Sequence, residues 1–171
     1  MGDLRILDIA ADLGGKYFAQ FDYKWYTDDF REMIKQEMDF RIEANNCKKC
    51  GEMFKDSKNV VVPKVFDEYS TPRTLVMSFE EGMSVGKVKE MHSKGIPLKD
   101  VSKIISEAFN YMIYEKGFVH GDPHPGNMMA RVNKDGELQI VILDHGVYTT
   151  LEEKTRIAYT KLWRGILIQD E

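Results

Sequence analysis

Apolar residues recur along the chain at spacings that change several times, and each change marks an element. From Asp3 to about Phe21, Leu4, Ile6, Leu7, Ile9, Ala10 and Leu13 follow helical spacing, ended at Gly14-Gly15 or slightly later. Thr27-Asp28-Asp29 then offers a capping oxygen and first-turn acids. Phe30, Ile34, Met38 and Ile42 recur every four residues after it, which predicts one long helix over 27–54. Val60-Val61-Val62 and Val65-Phe66, on either side of Pro63, read as short strands. Thr74 to Phe79 reads as a better strand, broken by Glu80-Glu81-Gly82.

The second half is more regular. A short helix is expected over Val85 to His92, with a turn at Gly95 and Pro97. Val101, Ile104, Ile105, Ala108, Phe109, Met112 and Ile113 give Lys99 to Lys116 a broad apolar stripe, and Gly117 closes that helix. Phe118-Val119 leads into a loop from His120 to Asn127. Met128 to Val132 and Leu138 to Leu143 flank Asn133-Lys134-Asp135-Gly136, and an Asp-Gly turn between apolar runs predicts a hairpin. Asp144-His145-Gly146 follows, and Thr150-Leu151-Glu152-Glu153 opens a last helix to about Gln169. No internal repeat or linker interrupts the pattern, so residues 1–171 read as one α+β unit, mostly helical.

Composition narrows the function classes. Charged residues are 30% of the chain and hydrophobic ones 43%, the balance of a globular protein. The net charge of -4 argues against nucleic acid as a partner, because neutralising phosphates needs a basic surface. No run approaches the ~20 apolar residues that span a bilayer. The first 21 residues have acids early and no cleavable apolar core, so they read as neither a secretory signal nor a transit peptide. Cys47 and Cys50 are the only cysteines, too few for a zinc site of their own. They fall inside a predicted helix and not at its start after a strand, so a redox pair is disfavoured.

Candidate chemistry gathers around the hairpin. Asn127 precedes its first strand and Asp144 follows its second, so pairing of the strands brings them close. Both carry hard oxygen ligands, suited to Mg²⁺ shared with phosphate oxygens. Asp122, five residues before Asn127, is placed to orient an acceptor hydroxyl or a water. An Asp, an Asn five residues on and a strand-borne Asp-x-Gly form the layout of kinase catalytic loops. His120, Asp122, His124 and His145 also suggest a metal-hydrolase cluster, but the kinase-like loop already accounts for the histidines.

Gly117-Phe118-Val119-His120-Gly121-Asp122-Pro123-His124-Pro125-Gly126-Asn127 followed by Ile142-Leu143-Asp144-His145-Gly146 resembles the UbiB-type, or aarF-domain, atypical kinases. The stretch from Gln36 to Asn45 resembles that family's Glu-x-Asp helix with its following Glu-Ala-x-Asn, and Ser70 to Met77 with Glu81-Gly82 resembles the segment leading to its hinge. The HGDxHPGN loop also occurs in aminoglycoside- and choline-kinase-like enzymes, and the Glu-x-Asp helix decides between them. The resemblance implies a protein-kinase-like fold, with residues 1–80 belonging to the smaller lobe and 81–171 to the start of the larger. It implies Asp122 as the catalytic-loop Asp, Asn127 and Asp144 as metal ligands, and His120 and His124 as loop support. Glu43 corresponds to the helix glutamate that pairs with a nucleotide-positioning lysine, and Glu37 and Asp39 to the Glu-x-Asp pair. ATP and Mg²⁺ are the implied cofactors, with a membrane or isoprenoid lipid as an implied partner in a mitochondrion or plastid.

The resemblance is incomplete at its N-terminal end. Family members carry a strand lysine, an alanine-rich nucleotide loop and a Lys-x-Gly-Gln extension before the matched region, and this sequence starts after them. The expectation is therefore a fragment with little or no turnover alone, since kinase activity needs the Lys–Glu pair. A non-catalytic, pseudokinase-type binding module is the alternative, and an aminoglycoside-phosphotransferase-like small-molecule kinase is a second.

Overall fold

The computed structural model describes residues 38–168. The expected first helix, the Thr27 helix start, Glu37 and the aromatic cluster of Tyr23, Trp25 and Tyr26 lie outside the described residues.

Helix α1 spans Phe40–Met53 and begins later than the predicted long helix. Asp39 is its N-cap, with extended backbone and a side chain that accepts the Arg41 N–H. The periodic apolar positions Met38 and Ile42 did not carry the helix through Asp39, because the cap satisfies one of the free N–H groups of a helix start. Ala44, Cys47 and Cys50 form the buried stripe of α1.

The larger sheet has the order β1-β5-β4-β2. Strand β1 (Val60–Val61) runs parallel to β5 (Leu138–Ile142), with Val60 opposite Ile140. Strand β4 (Met128–Val132) pairs with β5 as the expected hairpin, Met128 facing Ile142 and Val132 facing Leu138. The two-residue β2 (Met83–Ser84) pairs with β4 where the sequence predicted only a break. Arg131 ties this edge down: its guanidinium donates to Glu80 Oε2 at 2.8 Å and to Gln139 Oε1 at 3.0 Å.

The predicted strand over 74–79 is not a strand. It makes isolated bridges only, Thr74 with Thr71 and Met77 with Val65. Its β-rich composition has no neighbouring strand to complete a ladder, and β-propensity expresses itself through such neighbours.

Helix α2 (Val88–Ser93) lies near its predicted place. Helix α3 (Leu98–Asn110) buries Val101 and Ala108 and continues as a π-helical turn over Tyr111–Lys116. Gly117 ends the run in the left-handed region at φ 63°. Strand β3 (Phe118–His120) then pairs antiparallel with β6 (Tyr148–Thr150), so Thr150, expected to open the last helix, ends a strand first. Helix α4 follows at Glu153–Ile168.

Two buried clusters hold these parts together. Cys50, Phe54, Val60, Ala108, Met112 and Ile142 join α1, the larger sheet and α3. Met91, Val101, Met128, Ala130 and Ile140 join α2 and α3 to the hairpin. Met128, Ala130, Ile140 and Ile142 share one face of the hairpin, and their burial in these clusters fixes its open end in space. Among the described residues no helix is long and apolar enough to cross a membrane.

Candidate functional site

The loop from His120 to Asn127 enters from β3 and leaves into β4. Its turns are closed by its own backbone: the His124 N–H donates to Asp122 O at 2.7 Å and the Asn127 N–H to His124 O at 2.9 Å. His124 Nδ1 accepts the Gly126 N–H at 3.0 Å, capping the 3-10 turn Pro125–Asn127. Gly121 is needed where the loop meets the segment before β6. A Cβ there would stand 2.6 Å from Val147 Cγ1, while the Gly121 N–H donates to Val147 O at 2.8 Å.

Asn127 sits at the mouth of the hairpin. Leu143 N–H donates to Asn127 O at 2.9 Å, extending the β4–β5 ladder by one residue. Asp144 follows directly, so the strand pairing brings the two residues to one end of the ribbon. The Asn127 amide donates to Asp122 Oδ2 at 3.3 Å, leaving its own carbonyl oxygen for another partner. Asp122 and Asp144 are exposed and Asn127 is half-buried.

Asp144 is held from several directions. Its Oδ1 accepts the Gly146 N–H at 2.9 Å, and its carbonyl meets His120 Nε2 at 2.7 Å. His120 Nδ1 in turn accepts the Asp122 N–H at 3.1 Å. A ring nitrogen that accepts an N–H is unprotonated, so Nε2 carries the proton and donates it to Asp144 O. His120 therefore links the backbones of Asp122 and Asp144.

Helix α1 brings Glu43 to the same loop. A Glu43 oxygen accepts the His145 N–H at 3.3 Å. Burial pushes the Glu43 carboxyl above its ordinary range; the His145 N–H works against this, and the nearby Asp144 charge adds to it. Asp39, a turn earlier, points away into a paired contact with the exposed Arg41, which holds its carboxyl below the usual range.

His145 was read in the sequence as a metal-ligand candidate, and the structure gives it other work. It is 0% exposed. Its Nε2 meets Ile142 O at 3.1 Å and its Nδ1 meets Tyr148 Oη at 2.9 Å. With both His120 nitrogens also in use, neither ring has a nitrogen left for zinc. Among the described residues, no three His, Cys, Asp or Glu side chains are grouped to hold a metal on their own. Asn127 and Asp144 suit the opposite kind of site: Mg²⁺ is commonly held by one or two carboxylates with substrate phosphates completing its shell.

Sequence reasoning missed two contributors. Asn46 donates to His145 O at 2.9 Å, and its only signal was the family's Glu-Ala-x-Asn pattern. Tyr148 packs on His145 and Phe118 with ring centroids 5.8 and 4.4 Å apart, and nothing in its local sequence marked it.

Comparison with known proteins adds a separate line of findings. A model of the ABC1 atypical kinase-like domain matches residues 1–171. The chain is similar to AarF domain-containing kinase 1 of Drosophila melanogaster, 34% identical over 98% of this chain and 32% of the relative. A putative ABC1 protein of Arabidopsis thaliana is 35% identical over 91% of this chain and 31% of the relative. The chain thus spans about a third of the length of these curated relatives. Among solved structures, Rv3197 of Mycobacterium tuberculosis, in complex with erythromycin, superposes with a TM-score of 0.70 at 22% identity, over 87% of this chain and 36% of that one.

Proposed function

Because the chain belongs to the ABC1 atypical kinase-like family and has a kinase-like α+β fold, we propose that it binds ATP with Mg²⁺ at the open end of the β4–β5 hairpin. Asn127 and Asp144 are the metal-side residues, and Asp122 orients the hydroxyl or water that accepts the phosphoryl group. The observation that carries this reading is the convergence of the three on one exposed edge: the Asn127 amide on Asp122 at 3.3 Å, and Asn127 O on the residue before Asp144 at 2.9 Å. When bound, Mg²⁺ offsets the negative charge of the nucleotide's phosphates. The protein's part is positional. His120 and His124 fix the loop backbone, and the Gly146 N–H holds one Asp144 oxygen so that the other faces outward.

The remaining assignments follow the family. Glu43 is the partner of the nucleotide-positioning lysine, Glu37 and Asp39 are the Glu-x-Asp motif, and the two lobes divide near residue 80. The reaction class is ATP hydrolysis or phosphoryl transfer to a small molecule, tied through the resemblance to isoprenoid-lipid and ubiquinone chemistry in an organelle. A second reading is a module that holds nucleotide without turning it over, in which the Glu43 carboxylate serves as the acceptor of the His145 N–H at 3.3 Å.

Nucleotide binding and phosphate release on the full chain, its Asp122→Asn form and its Asp144→Ala form test these readings together. Asp144→Ala is expected to remove Mg²⁺-dependent ATP binding. Asp122→Asn is expected to keep binding and slow any turnover by roughly 10²–10⁴-fold, the usual range for a proton-accepting or orienting group. Mg²⁺-dependent binding without phosphate release selects the holding module, and an absence of Mg²⁺-dependent binding contradicts both readings.

A further inference from the structure

Two consecutive peptide units carry Asp144, and all four of their polar groups are bonded. In the unit joining Asp144 to His145, the carbonyl takes the His120 Nε2 proton at 2.7 Å and the N–H goes to Glu43 at 3.3 Å. In the unit joining His145 to Gly146, the carbonyl takes the Asn46 amide at 2.9 Å and the N–H goes to Asp144 Oδ1 at 2.9 Å. A trans peptide points its carbonyl and its N–H in opposite directions across a rigid plane. Fixing the His145 carbonyl therefore aims the Gly146 N–H. That N–H is the group that holds the Asp144 carboxylate.

We propose that Asn46 is a positioning residue for the metal side of the site, acting through the His145–Gly146 peptide to set the orientation of the Asp144 carboxylate. The inference rests on the assignment of Asp144 as a Mg²⁺ ligand. Helix α1 is a suitable mount. Glu43 and Asn46 are three apart, lie on one face and grip the two ends of His145. The neighbouring Ala44, Cys47 and Cys50 are buried, so that face cannot swing without disturbing the core. The His145 ring closes the arrangement from the other side, pinned to Ile142 O and the Tyr148 hydroxyl. Among the described residues the Asn46 amide is the side-chain donor that holds the carbonyl of the second peptide unit.

A conformation of helix α1 is thereby made part of the metal site. Any rotation of α1 that withdraws Asn46 frees the His145–Gly146 plane to turn, and the Asp144 carboxylate loses its anchor. Groups that orient a metal ligand from behind change metal affinity by about 10–100-fold when removed.

The test titrates Mg²⁺ into the full chain at saturating ATP and follows the rise in melting temperature. ATP affinity in EDTA and the melting temperature of the ligand-free protein are measured alongside. Asn46→Ala is expected to raise the Mg²⁺ midpoint at least about tenfold, with metal-free ATP affinity within twofold of the parent (about the scatter allowed to unrelated sites). Asn46→Asp keeps the side chain's size while replacing its donor with an acceptor. It is the second variant should the alanine form not fold, and the same expectation applies to it. Asn46→Gln, which retains the donor, is expected to shift the midpoint less than alanine. An unchanged midpoint in the alanine or aspartate form overturns the proposal. So does an equal loss of metal-free and Mg²⁺-dependent affinity, the signature of a merely structural role. Asp144→Ala runs in parallel. If it removes the Mg²⁺ dependence while the Asn46 variants leave it intact, the positioning role fails alone; if it leaves the dependence intact, the assignment of Asp144 fails with it.

Discussion

His145 spends every polar atom it has on the protein: its N–H on Glu43, its carbonyl on Asn46 and its two ring nitrogens on Ile142 O and Tyr148. Burial lowers its pKa to about 4, so the ring is neutral in the folded state at pH 7. The unfolded chain would bind a proton near pH 6.5, and the folded chain resists it until about pH 4. The stability held by the neutral ring is therefore complete above about pH 6.5 and is lost as pH falls toward 4, up to about 3 kcal/mol. Glu43, whose carboxyl is raised, works in the opposite direction by taking up a proton more readily when folded. Urea unfolding in metal-free buffer at pH 7 and pH 5 is expected to show lower stability at pH 5, with the difference reduced in His145→Gln. Cys47 and Cys50 offer a second check at this scale. Both are 0% exposed, and burial pushes their thiols up to about 12 and about 11. Neither is expected to react with a thiol reagent at pH 8 in the native chain, whereas both react in denaturant; labelling followed by mass measurement reads this directly. The sequence exposed the types of these residues but not their surroundings. The burial of His145 was not legible because a histidine between an Asp and a Gly carries no local sign of it. That Asp122 lies by Asn127, and Asn127 by the strand end before Asp144, was legible because their spacing is set by a loop and a hairpin whose own signals are local.

The elements divide along the same line. The β4–β5 hairpin was readable from Asp135-Gly136 between apolar runs, and α3 from its stripe, because both are determined within about twenty residues. Strands β2 and β6 were not readable. They are two and three residues long and exist only through partners far along the chain. Among the described residues the helix predicted over 27–54 begins at Phe40, for a related reason. An apolar residue every four positions continues past Asp39 in sequence, but the capping side chain ends the helix there. Gly117 was read correctly as the end of the α3 run, and its conformation gives an element-scale prediction. At φ 63° a side chain is strained, and a Cβ would also stand 3.3 Å from Leu151 O. Gly117→Ala is expected to lower stability by about 1–2 kcal/mol, measured by denaturant melts. Because the Gly117 carbonyl accepts the Leu151 N–H at 2.7 Å, the loss falls where β3 meets β6.

At the scale of the whole molecule, apolar surface is unevenly covered. Helix α4 buries no residue among those described, and Leu162, Trp163, Ile166, Leu167 and Ile168 are all exposed on it. Surface of that extent promotes association. The chain is expected to self-associate at micromolar concentration, and Leu162→Glu with Ile166→Lys to shift it toward monomer in sedimentation velocity. The covered parts meet at one place: α1, the loop after β3 and the end of the hairpin all deliver polar groups to the backbone around Asp144. What that meeting point holds is read by a crystal structure with Mn²⁺ and a non-hydrolysable ATP analogue, using anomalous scattering. The expected ion is bonded to Asn127 Oδ1 and an Asp144 carboxylate oxygen at about 2 Å, with phosphate oxygens filling its shell. Nucleotide and ion bound elsewhere, or an ion touching neither side chain, would contradict the proposed site.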